Sequence, residues 1–132
     1  MGFSPILAHK LCMTLATLII IVGVIIARRK KNNWIKTHRL VMLIGVIVAY
    51  CGLTSIEYFK LTFGFPHFVS VHSWVGTASI VLITIVPIFG ILTIAGKERF
   101  RMIHKRVGHS AKNFMFFAAI FGILTSLGLI KK

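Results

Sequence analysis

Apolar residues run through this chain in four long blocks separated by short polar segments. The first block is Ile6 to Ala27, 22 residues, the second about 34–58, the third about 68–95 and the fourth about 103–130, with a polar first turn. Each reaches the roughly 20 residues that an α-helix needs to cross a hydrocarbon layer about 30 Å thick. No block alternates with the period of a strand, and an open sheet cannot satisfy its backbone in lipid. The pattern predicts an all-α membrane protein, a four-transmembrane-helix up-down-up-down bundle that occupies 1–132 as a single domain.

Composition agrees with a lipid solvent. Of 132 residues 57% are hydrophobic and 14% charged, against roughly 25% charged in ordinary soluble domains. Only Glu57 and Glu98 are acidic, and the net charge is +14. Eleven of the sixteen basic residues fall in two blocks, Arg28, Arg29, Lys30, Lys31, Lys36 and Arg39, then Lys97, Arg99, Arg101, Lys105 and Arg106. They flank apolar runs as the cytoplasmic loops of membrane proteins do. No basic stripe is interleaved with aromatics, so nucleic acid is not an expected partner. Membrane lipid is, including anionic head groups at those loops. The bias places the 1–2 and 3–4 connections in the cytoplasm and both termini outside. The 2–3 connection, with Gly64 and Pro66 as turn signals, then faces outward.

Cys12 and Cys51 match neither a paired metal spacing nor a redox dithiol, and read as buried apolar thiols. The first block is too long for a signal-peptide core and ends on Arg28 and Arg29. Ile6 stands where the myristoylation pattern needs Ser or Thr.

Six histidines in so apolar a chain carry the chemistry: His9, His38, His67, His72, His104 and His109. An ionisable group inside a span costs roughly 2.5–3.5 kcal/mol on insertion scales, so it calls for a partner or a function. His9, His38, His72 and His104 each sit near the start of their own span. Successive helices run in opposite directions, so His9 and His72 share the outer level, and His38 and His104 the inner. Zinc wants more ligands than a pair offers. Haem iron takes four ligands from its porphyrin and needs only two axial imidazoles. A macrocycle between helices also needs small neighbours, and Gly76 and Gly108 each follow a histidine by four, on the same face. Ala16 and Gly45 lie two turns beyond His9 and His38. Two bis-histidine haems are the first reading; structural histidines, another metal or a transport role stay open.

The basic blocks serve either topology alone or the haem propionates as well. Trp34, Tyr58 and Trp74 suit interfacial anchors, and Met13, Met42 and Met115 suit packing. His109, five residues after His104 and on another side of the helix, is an alternate to it as inner ligand. His67 is expected at the outer surface.

Four segments carry a resemblance: His9-Lys10-Leu11-Cys12-Met13, Lys36-Thr37-His38, Ser70-Val71-His72-Ser73-Trp74-Val75-Gly76, and His104 with Gly108 four later. They resemble the cytochrome b561 family over nearly the whole chain, most specifically in the Ser-x-His-Ser-Trp-x-Gly segment. The resemblance implies two haem b groups, one ligated by His9 and His72 and the other by His38 and His104. It also implies electron transfer across the membrane, from a cytoplasmic ascorbate-like or quinol donor to an outer acceptor such as monodehydroascorbate or a ferric chelate. Lys36 matches a donor-side basic residue of the family, and Arg99 or Arg101 substitutes for another. The sequence holds four spans where better-known members have six, and Val69 stands where a tyrosine is expected. Enzymatic activity therefore stays open between a small-molecule oxidoreductase and a haem-carrying membrane anchor that serves a redox partner protein. A haem-free scaffold or transporter is the third class, and a homodimer is one arrangement open to the chain.

Overall fold

The computed structural model describes residues 4–130. They form four α-helices, α1 (Pro5–Arg29), α2 (Trp34–Phe63), α3 (Val71–Ile94) and α4 (Arg99–Ser126). All four are long and apolar enough to cross a membrane. They divide into two compact units, one ending at His67 and the other beginning at Phe68, and each unit is an antiparallel helical hairpin.

The helix ends differ from the apolar blocks by up to five residues, because local hydrogen bonding rather than hydropathy sets them. In α1 the Ser4 side chain accepts from Leu7 N–H and Pro5 fills the first helical position, where its missing donor is no loss. The α2 helix runs past Tyr58 to Phe63 and stops at Gly64, whose φ of 68° is left-handed. Phe65 N–H closes back on the Lys60 carbonyl at 3.0 Å, and the Phe65 ring stacks on Phe59 at 5.3 Å. This is a Schellman stop with its hydrophobic contact. Gly96 lets Lys97 N–H return to the Leu92 carbonyl in the same way after α3, and Leu129 N–H bonds the Leu124 carbonyl beyond α4. The fourth helix consequently ends at Ser126 rather than near 130, and it starts at Arg99 rather than 103.

The third helix starts at Val71, not 68, because Ser70 caps it. Ser73 N–H donates to the Ser70 hydroxyl at 3.2 Å, and Ser70 N–H donates to the Ser73 hydroxyl at 3.1 Å. This reciprocal pair satisfies two donors at the helix start. Ser70→Ala is expected to lower stability by about 1 kcal/mol, read as a lower melting temperature of the purified protein, and Ser70→Asp to recover most of it.

Packing inside each hairpin follows one scheme. The buried residues are Ala16, Thr17, Ile20 and Gly23 on α1, with Gly45, Ala49 and Gly52 on α2. In the second hairpin they are Ser79, Ile83 and Val86 on α3, with Ala111, Met115 and Ala118 on α4. Spacings of four and three within a seven-residue repeat are those of a left-handed helix seam. Its residues are mostly small, as suits helices that gain no hydrophobic drive from each other in lipid and must approach closely to pack. Both buried hydroxyls bond locally, Thr17 to the Met13 carbonyl at 2.8 Å and Ser79 to the Gly76 carbonyl at 2.7 Å.

Candidate functional site

Each of the four span-start histidines donates from Nδ1 to a backbone carbonyl on the neighbouring helix of its own hairpin. In the first hairpin His9 reaches the Gly52 carbonyl at 2.9 Å, and His38 the Gly23 carbonyl at 2.9 Å. In the second, His72 reaches the Ala118 carbonyl at 2.8 Å, and His104 the Val86 carbonyl at 3.0 Å. A carbonyl oxygen only accepts, so the ring proton sits on Nδ1. A neutral imidazole in that tautomer carries its lone pair on Nε2, the state required of a metal ligand.

The register of these contacts repeats on every helix. Gly23 follows His9 by 14 residues, Gly52 follows His38 by 14, Val86 follows His72 by 14 and Ala118 follows His104 by 14. The other shared seam positions fall seven and eleven residues after the histidine in all four helices: Ala16 and Ile20, Gly45 and Ala49, Ser79 and Ile83, Ala111 and Met115. Fourteen residues make four turns of a 3.5-residue seam, so histidine and acceptor lie on the same face. Two antiparallel helices of this kind meet at both ends, each histidine against the other's acceptor. At 1.5 Å per residue the two histidine levels of one hairpin stand about 21 Å apart.

Residue size alternates around these clasps. In the first hairpin the residue four after each histidine is a methionine, and the acceptor is a glycine. A Cβ on Gly52 would lie 3.0 Å from Met13 Sδ, and one on Gly23 would lie 2.5 Å from Met42 Sδ. In the second hairpin the residue four after each histidine is Gly76 or Gly108, and the acceptors are Ala118 and Val86. A Cβ at Gly76 would meet nothing within 4 Å, and one at Gly108 only Val86 Cγ1 at 3.7 Å, an ordinary contact. Packing inside the hairpin therefore demands glycine at neither position.

The remaining residues singled out in the sequence are placed as follows. Ala16 and Gly45 belong to the seam of the first hairpin, where Gly45 faces Ile20. Met13 and Met42 pack against the acceptor glycines, and Met115 is buried in the second seam. The Trp34 ring lies 6.4 Å from that of His38, and Trp74 packs on Phe68 at 4.7 Å. Lys36, Arg99 and Arg101 are exposed, Lys36 just before His38 and the two arginines within the turn and a half before His104. His109 is exposed, whereas His104 is half-buried on the seam side. His67 sits 3.3 Å from the Glu57 carboxylate, which also pairs with Lys60 at 3.0 Å. Cys51 is exposed on α2 rather than buried, and Cys12 is intermediate. Among the described residues no three His, Cys, Asp or Glu side chains gather into a metal cluster.

The four acceptors escape a reading by residue type, since a backbone carbonyl leaves no mark in a sequence. A usable signal was present nonetheless: a small residue seven after the histidine in every helix, and fourteen after it in all but α3, where Val86 stands.

The family described as eukaryotic cytochrome b561 matches residues 3–131. No curated protein and no solved structure matches the chain. Four membrane-length helices, an intramembrane histidine set in the ligand tautomer and a match over nearly the whole length agree: the chain belongs to the cytochrome b561 family of haem b-binding, multi-pass membrane proteins that transfer electrons across the membrane.

Proposed function

We propose that the chain carries two bis-histidine haems b, with His9 and His72 as axial ligands of one and His38 and His104 of the other. The observation that carries this reading is the clasp repeated on all four helices. A single structural histidine needs only some hydrogen-bond partner. Four that share one tautomer and one register, one at each end of each hairpin, suit two axial pairs that would bind iron through the Nε2 lone pair. Donation from Nδ1 to a carbonyl also fixes the ring orientation and raises the basicity of Nε2.

The residues present fit the group. Gly76 and Gly108 lie one turn beyond His72 and His104, where hairpin packing leaves room for a side chain that the sequence withholds. A porphyrin face against each glycine accounts for that choice. Haem b, when bound, supplies a one-electron iron couple with both axial positions filled. The protein contributes the imidazoles, a low-dielectric surround and charge. Lys36, Arg99 and Arg101 stand at the His38 and His104 ends of their hairpins and suit an anionic, ascorbate-like donor or the haem propionates. With the basic loops cytoplasmic, that end is the donor side. His104 is preferred to the exposed His109 because it keeps the register of the other three.

Purified protein supplied with haem should contain two haems per chain. Its reduced-minus-oxidised spectrum should show bis-imidazole bands, and a redox titration two low-spin components. One haem per chain, or none, overturns the reading.

A further inference from the structure

The two hairpins do not hold their imidazoles in the same way. On α3 and α4 the residue four after the acceptor carbonyl is glycine: Gly122 follows Ala118 and Gly90 follows Val86. In an α-helix the carbonyl of residue i points along the axis toward residue i+4, so the side chain at i+4 borders whatever bonds that carbonyl from outside. A Cβ on Gly122 would lie 2.9 Å from His72 Cε1 and 3.1 Å from its Nδ1. One on Gly90 would lie 3.1 Å from His104 Cε1 and 3.3 Å from its Nδ1. The rings of His72 and His104 therefore rest against bare backbone. In the first hairpin the corresponding positions are Ala27 and Ile56, and the glycines there admit methionine rather than imidazole.

We infer that Gly122 and Gly90 are positioning residues, seats that fix the rotation and hydrogen bond of one axial imidazole each. This rests on the bis-histidine reading above. Each haem then has one ligand wedged on glycine, His72 or His104, and one whose clasp has a side chain at that place. A methyl group at either seat pushes the ring off its carbonyl. A weaker Nδ1–H···O=C bond leaves Nε2 a poorer donor to iron, which favours the ferrous state and raises the midpoint potential.

The test uses the full chain with haem, comparing wild type, Gly122→Ala and Gly90→Ala by redox titration and by electron paramagnetic resonance of the ferric state. Gly122→Ala should raise one midpoint potential and move one low-spin signal, leaving the other component at its wild-type position. Gly90→Ala should do the same to the other component. Both components moving together in each variant, or neither moving in either, overturns the seats. A double variant, His72→Ala with Gly122→Ala, guards against a single change that simply prevents folding. With the imidazole gone the added methyl has lost the atoms it would strike, so the double variant should match His72→Ala alone in haem content and in its remaining signal. Further loss in the double variant marks Gly122 as general helix packing and overturns the inference. A wild type with fewer than two haems overturns the proposed function itself. A wild type with two haems whose components ignore both glycine changes overturns the seats alone.

Discussion

Replacing His72 with alanine is expected to halve the haem content of the proposed two-haem protein, leaving one haem per chain with a single midpoint potential. His72 donates to the Ala118 carbonyl at one end of the second hairpin, and His104 to the Val86 carbonyl at the other. The two contacts are about 21 Å apart along the helices, farther than the 7–10 Å beyond which substitutions usually act independently. The Ala118 carbonyl also loses only a supplementary bond, since it lies inside α4. Removing the imidazole therefore deletes one proposed axial ligand and leaves the His104 clasp and the seam between them in place. Haem per protein, measured on the pyridine complex, and a redox titration read the result. Loss of both haems, or of neither, would count against ligation at two separate levels.

A larger effect is expected from Gly45→Leu, which should remove both proposed haems. Gly45 is seven residues from His38 and seven from Gly52, midway between the clasps of the first hairpin. Even a Cβ there would lie 2.9 Å from Ile20 Cγ1 and 3.2 Å from Ile19 Cγ2, and leucine adds three more carbons. Overpacking of this kind costs about 1–3 kcal/mol when the surroundings can yield. A hydrogen bond contributes about 0.5–1.5 kcal/mol net, so neither clasp can hold against the wedge. As α1 and α2 part, His9 and His38 both leave their carbonyls, and each proposed haem loses one positioned ligand. Haem content and melting temperature should fall together, whereas His72→Ala should spare half the haem. A Gly45→Leu protein that keeps both haems would show that the seam does not set the spacing of the histidines.

The contrast between these two variants shows what could be read from the sequence. Side-chain chemistry was legible: four apolar spans, four histidines near their starts, and Gly76 and Gly108 one turn beyond two of them. Helix ends were less so. The stop at Phe63 depends on Gly64 adopting a left-handed φ and on Phe65 stacking against Phe59, neither of which hydropathy records. The start at Val71 likewise depends on a serine pair, where the commoner signature has an acidic or amide residue three after the cap. The carbonyl partners were hidden for a deeper reason, since every residue offers the same C=O and only backbone placement selects among them. Val86 and Ala118 would pass for ordinary lipid-span residues without the structure. Met13 and Met42 show the opposite case: their assignment to packing needed only polarity and size, and the glycines they face supply the reason.

The fourteen-residue register also constrains how this protein could change over time. Adding or deleting one residue between a histidine and its acceptor rotates one partner by about 100° away from the other. Small steps in length are thus closed to these helices. Only whole heptads, each lengthening the hairpin by about 10 Å, would return both ends to register. The depth between the two histidine levels is consequently quantised. Evolution can tune these sites through neighbouring side chains, but it cannot let them drift gradually apart.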